Sequence, residues 1–191
     1  MIGHHDLVTE DGQRTFAFAT EHDPTQIACI QQEDLAKLLG NPYRNGGLVK
    51  IVFLSGCQST ALARAAVKEA QKHGRHLAVV CWDTVVADAA ARPFAVEFWK
   101  ALSAKPGNYR YAFEQAASKL QAQTSPNGKQ KFKLSDPLAS FQPGLETDPC
   151  PPGKKYRVGP PSGFYPLDSF KAPVPIGVPL LILPDGSEHR A

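Results

Sequence analysis

The chain has 191 residues, 42% of them hydrophobic and 20% charged, with a formal net charge of +3. These proportions exclude collagen, coiled coil and wholesale disorder, and the longest apolar runs, such as 77–82, fall far short of the roughly 20 residues that span a bilayer. Eleven of the 17 prolines lie between residues 143 and 191, so the expected division is a core-bearing part, 1–120, and a Pro-rich extension, 121–191.

Charge is spread evenly: 13 Lys and Arg stand against 12 Asp and Glu up to residue 120, and 8 against 6 beyond it. That speaks against nucleic acid as a partner, and a membrane partner is not expected either. The only basic clusters, Lys129, Lys131 and Lys133 and the pair Lys154-Lys155, read as solvated loop residues. Cys29, Cys57, Cys81 and Cys150 show no CxxC spacing, so no metal site and no cofactor is indicated and reduced thiols are expected. The first residues lack the basic and apolar stretches of a signal peptide, which points to a cytoplasmic product or a fragment of something longer.

Residues 7–10 and 13–20 flank Asp11-Gly12, a two-residue turn signal, and read as a hairpin with a third short strand at 25–30. A short helix at 33–39 is stopped by Gly40 and Pro42. The run 48–54 is too continuously apolar for a half-exposed strand, so a central strand buried on both faces is predicted. After it, Leu62, Ala65, Ala66 and Ala70 share one helical face between Ser59 or Thr60 as N-cap and Gly74 as C-cap. A second buried strand covers 76–82, a helix covers 88–104 with Pro93 in its first turns or at a kink, and Asn108 caps another helix striped by Ala112, Phe113, Ala116 and Leu120. This alternation implies an α/β protein with a mostly parallel central sheet flanked by helices. Beyond residue 120 the periodicity stops. The exception is 174–183, which is either an edge strand returning to the sheet or part of a disordered tail, before the turn Pro184-Asp185-Gly186.

The chemistry-bearing feature is Cys57, just past the carboxyl end of a buried strand and just before a helix. Ligands meet open α/β sheets at such strand ends, and the amino terminus of a helix stabilises a thiolate. Alternatively Cys57 is a buried structural thiol. A cysteine nucleophile needs an imidazole base, which caspase-type enzymes place about 50 residues upstream; His4 lies 53 residues before Cys57. Cys29 and Cys81 read as core thiols, and no GxSxG, Walker A or dinucleotide fingerprint is present.

In order along the chain stand Gly3-His4-His5, then Leu54-Ser55-Gly56-Cys57-Gln58-Ser59, then Val79-Val80-Cys81-Trp82-Asp83 running on to Asp88-Ala89-Ala90, then Phe94 and Phe98-Trp99. Over about residues 3–120 this resembles the CHAT domains of the caspase and separase clan of cysteine peptidases. The resemblance implies a caspase-like sandwich with Cys57 as nucleophile and His4 as general base, attacking a protein or peptide substrate through a thioester. It also implies that the backbone N–H of Cys57 helps hold the oxyanion. Where the family has glycine after its histidine this chain has His5, so His4 and His5 both stand as candidates for the base. Trp82-Asp83 is close to the Trp-Asp-Val of separases, which implies that Asp83 or Asp88 lines a pocket for a basic P1 side chain. The other readings are a solvated turn for Asp83 and a helix N-cap for Asp88.

A caspase-like sheet begins with two strands before its histidine strand, so this sheet is expected to be incomplete at its amino-terminal side. It would be built from the cysteine strand, the strand at 76–82, an amino-terminal stump and the segment 174–183. The alternative to an active peptidase is a catalytically inactive CHAT-like module that works through protein interactions, with a regulatory protein partner and a Pro-rich tail that other domains read. An unrelated α/β protein with a structural Cys57 is the third reading.

Overall fold

The computed structural model describes residues 4–9, 14–19, 27–84, 86, 88–137, 156–158 and 173–191, and gives the backbone course alone for those before residue 30, for 45 and 88, and for 156–158. The chain opens with three short strands, β1 (His4–Thr9), β2 (Arg14–Ala19) and β3 (Ile27–Gln31). Helix α1 (Gln32–Gly40) and the single turn α2 (Pro42–Asn45) follow. The central run is β4 (Ile51–Phe53), α3 (Thr60–Lys72), β5 (Ala78–Trp82), α4 (Asp88–Ala104) and α5 (Tyr109–Gln121). The remaining strands are β6 (Phe132–Lys133), β7 (Tyr156–Val158), β8 (Val174–Pro175), β9 (Pro179–Ile182) and β10 (Glu188–Arg190).

The protein is mixed α/β. Its principal sheet has the order β10-β9-β5-β4, in which β4 and β5 are parallel while β9 runs antiparallel to β5 and β10 antiparallel to β9. The principal sheet is therefore mixed rather than mostly parallel, with one of its three strand pairings parallel. Helix α3 makes the β4-to-β5 crossover that parallel pairing demands. Between residues 174 and 183, the strand β9 is not at an edge: it lies between β5 and β10, and all four of its residues are buried.

Alternation along these strands splits the core in two. Val80, Trp82 and Leu181 face Phe94 and Phe98 of α4 and Phe113 and Leu120 of α5. Val79, Cys81, Leu180 and Ile182 face Leu62, Ala66 and Val67 of α3 and Leu35 of α1. Helices thus cover both faces, which is why β5 reads as a continuous apolar run. Phe132 and Ile176 fill the α4–α5 side, tying the neighbourhood of β6 and β8 to the same core. Each fully buried Phe or Leu contributes about 1.5–3 kcal/mol of transfer free energy.

Strand β4 departs from the central position predicted for 48–54. The strand proper spans only residues 51–53, with Lys50 and Leu54 still bonded to β5 on either side of it, β4 stands at the end of the sheet order, and Leu48 is 86% exposed. Its apolar character comes from the helices instead: Ile51 and Phe53 pack on the α4–α5 side, Val52 and Leu54 on the α3 side. Gly40, expected as a helix stop, is the last residue of α1 and meets α3 so closely that a Cβ there would lie 2.5 Å from the Ala66 carbonyl oxygen and 2.8 Å from Glu69 Cβ. Asn108 caps α5 as predicted, its Oδ1 accepting from the Tyr111 N–H at 3.1 Å. Helix α4 runs through Pro93.

The amino-terminal strands form a separate antiparallel sheet, β3-β2-β1-β7. The hairpin read from the sequence is present as β1 paired with β2, and the turn at Asp11-Gly12 lies outside the described residues. The amino-terminal stump therefore does not extend the principal sheet. β1 has β2 on one side and β7 on the other, so both of its hydrogen-bonding edges are taken and neither is open to β4. No described helix is long and apolar enough to cross a membrane.

Candidate functional site

Two loops leave the carboxyl ends of the parallel strands β4 and β5 and are stitched together. The Gln58 N–H donates to the Thr84 carbonyl at 3.0 Å and the Ser59 N–H to the Trp82 carbonyl at 2.9 Å. Cys57 lies at the head of this zipper, 4% exposed. Its Sγ accepts from the Val86 N–H at 3.3 Å and lies 3.8 Å from the Val86 carbonyl oxygen. A bond from N–H to sulfur strengthens when the sulfur carries charge, and α3 begins three residues later at Thr60 with its positive end toward the loop.

The backbone turns sharply here. Gln58 has φ 48°, the one positive-φ residue other than glycine among the described residues. An L-residue in this region costs about 1–2 kcal/mol, and such outliers persist where the surroundings over-determine them. Here the zipper and the Ser59 hydroxyl do so. Ser59 Oγ donates to the Gly56 carbonyl at 2.7 Å, which turns the side chain back into the loop, so Ser59 precedes α3 without making a side-chain cap bond.

Asp83 follows Trp82 and is held on both sides. Its N–H donates to the Val178 carbonyl at 2.9 Å, while the Val178 N–H donates to Thr84 Oγ1 at 3.0 Å, so the segment before β9 clamps the loop. Asp83 Oδ1 accepts from the Thr60 hydroxyl at 2.8 Å and Oδ2 pairs with Arg190 Nη2 at 3.0 Å. Asp83 is thus an organised, half-buried carboxylate beside the start of α3, not a solvated turn residue. Asp88 is the first residue of α4, and its side chain lies outside the described residues.

His4 and His5 open β1, in the antiparallel sheet, whereas Cys57 follows β4 in the principal sheet. The placement of both imidazoles lies outside the described residues. Cys81, fully buried against α3, is chemically distinct from Cys57: burial pushes its thiol up to about 12, with a contact to Thr60 working against the rise. A thiol so disfavoured as an anion is a core residue.

The sequence reading placed Cys57 and Asp83 at neighbouring strand ends, and the structure brings their loops together. It gave no role at the site to Gln58, Thr60, Val86 or Arg190. The position of Thr60 just after the cysteine element was a usable signal, since the first turn of a helix there faces the next strand's loop. Arg190, 107 residues beyond Asp83, left none. No family model matches the chain, and a search of curated proteins finds no relative.

Proposed function

We propose that the chain is a CHAT-family cysteine endopeptidase of the caspase and separase clan, cytoplasmic, acting on a protein or peptide substrate. The observation that carries this reading is the setting of Cys57: a thiol past the end of a parallel strand, at the start of α3, with a backbone N–H on its sulfur and a left-handed residue behind it. Cys57 attacks the scissile carbonyl, His4 (or His5) takes the thiol proton and returns it to the leaving amine, and water hydrolyses the thioester. Asp83, or Asp88 at the first residue of α4, reads a basic P1 side chain through charge-assisted bonds.

The test is labelling with a thiol-reactive acyl probe. Labelling is expected in the wild type, absent in Cys57→Ala and sharply reduced in His4→Ala; equal labelling of all three refutes the assignment. A peptide library preferring acidic or apolar P1 residues would remove the role of Asp83 while leaving the dyad standing. A second reading, a catalytically silent CHAT-like interaction module, is favoured by the 4% exposure of Cys57 and by the bonding of β1 to β2 and β7. Under it the wild type is unlabelled and the Pro-rich segment is retained by a domain that reads Pro-rich peptides.

A further inference from the structure

Asp83 already holds a guanidinium. Arg190 reaches it from β10, and the register explains how: Arg190 stands opposite Leu180 on β9, and Leu180 opposite Cys81 on β5. Directly opposed residues share a face of the sheet, so the Arg190 side chain rises on the α3 side and leans past Leu180 to the loop after Trp82. Glu188, two residues earlier on the same face, takes both Nε and Nη2 of Arg64 on α3, at 2.6 and 3.0 Å. His189, between them, turns to the opposite face and meets Arg110 on α5 at 2.6 Å. The position of β10 is thereby fixed by groups other than Arg190.

The two partners of the Asp83 pair are unequal. The carboxylate is 26% exposed and oriented by Thr60, while the arginine side chain is 57% exposed. The carboxylate is the built half of the pair and the guanidinium the removable half. Arg190 can swing into solvent with the Glu188–Arg64 pair and the β9–β10 ladder left in place. The vacated Oδ2 would then be free to take another cation, with Oδ1 still held by the Thr60 hydroxyl at the start of α3.

We propose that Arg190 is an internal occupant of the subsite at Asp83, so that a basic substrate side chain binds there by exchanging guanidinium for guanidinium. The proposal rests on the peptidase reading with Asp83 as its P1 carboxylate. Exchange conserves the number and type of charge-assisted bonds at Asp83, with the displaced Arg190 guanidinium hydrated in solvent, so basic side chains alone can displace Arg190 without leaving the carboxylate unpaired. Arg190 thereby slows basic substrates and protects Asp83 from neutral ones. Exposed ion pairs shift an equilibrium by roughly 1.4- to 5-fold, which sets the size of the brake.

The experiment compares two acyloxymethyl ketone peptides, identical except for Arg or Ala at P1, in their rates of labelling Cys57 in the full chain. Arg190→Gln is expected to raise the rate with the Arg probe about two- to fivefold and to leave the Ala probe behind. Asp83→Asn is expected to remove the difference between probes, and Arg190→Gln added to it to give no further gain. Arg190→Lys, which keeps the charge and the packing of the stem, is expected to show a smaller gain confined to the Arg probe, and it serves if Arg190→Gln does not fold. An unchanged Arg-probe rate in folded Arg190→Gln and Arg190→Lys overturns the proposal, as does an equal gain with both probes, which would report a general loosening of β10. Labelling of Cys57 without any Arg–Ala difference overturns the subsite and its occupant while the dyad stands. Absence of labelling by either probe in every variant overturns the peptidase reading, and this proposal with it.

Discussion

Replacing Gln58 by glycine should stabilise the protein, although it removes a side chain next to the candidate nucleophile. Gln58 holds φ 48°, a conformation that costs an L-residue about 1–2 kcal/mol through the clash of Cβ with the following carbonyl. Glycine removes that clash but brings a more flexible unfolded chain, at a cost of about 0.5–1 kcal/mol. The net expectation is a gain centred on about 0.75 kcal/mol, within a span of about 0–1.5 kcal/mol, or a rise in Tm of up to about 6 °C for a chain of this size. The bond from the Gln58 N–H to the Thr84 carbonyl is made by backbone and survives the change. Gln58→Val is the control: a β-branched side chain tolerates the left-handed region least, and a loss of about 1–2 kcal/mol is expected. Urea unfolding followed by indole fluorescence reads both, because Trp82 lies in the core and Trp99 on the surface of α4. If glycine gives no gain and valine no loss, Gln58 is not left-handed in solution and the account of the loop is wrong.

Three other outcomes follow from the packing. Gly40→Ala should destabilise by about 1–3 kcal/mol despite the better helix former, because the added carbon meets α3 backbone that cannot rotate away; chemical denaturation with an unchanged or raised midpoint would contradict the α1–α3 crossing. Phe94→Ala should cost about 3–5 kcal/mol, since Phe94 is fully buried between Phe53, Trp82 and Phe113. By contrast Trp99→Ala, at a side chain 42% exposed, should cost much less, and equal losses by calorimetry would refute the assignment of faces on α4. Because the folded-state pKa of Cys81 is raised to about 12, its contribution is intact below about pH 8.5, where the unfolded thiol is also neutral. It is lost as pH climbs toward 12, at up to about 1.4 kcal/mol per pH unit. Cys81→Ala should flatten the alkaline limb of a stability profile, and an unchanged limb would assign it to another group.

The parts legible in the sequence are those written in local periodicity. Helices α3, α4 and α5 announce themselves by stripes such as Phe94, Phe98 and Leu102, and β5 by a run apolar at every position because both of its faces are covered. The continuous run around β4 invited a central position for the same reason, yet coverage by helices on two faces is silent about strands on two edges. Pairing was the information missing throughout. That β1 is taken by β2 and β7, and that β9 lies inside the sheet, depends on partners far apart in the chain. At the site the same rule holds: Cys57 and Asp83 end two adjacent parallel strands and were readable, whereas the Arg190 contact is set by the register of β10 across β9 and β5.

The position of β9 has a consequence for how the chain comes into being. Strand β5 pairs β4 on one side with residues 27 positions earlier, but on the other it awaits β9, in which Ile182 faces Val79 across 103 positions of chain. At roughly 5–20 residues per second of synthesis, Val79 to Trp82 leave the ribosome with one bare hydrogen-bonding edge for about 5–20 s. During that interval a strand that is buried at all five of its residues in the folded protein is open to any extended peptide nearby. A nascent chain halted before residue 174 should therefore associate with chaperones or with its own copies, and release from them should coincide with synthesis of residues 179–182.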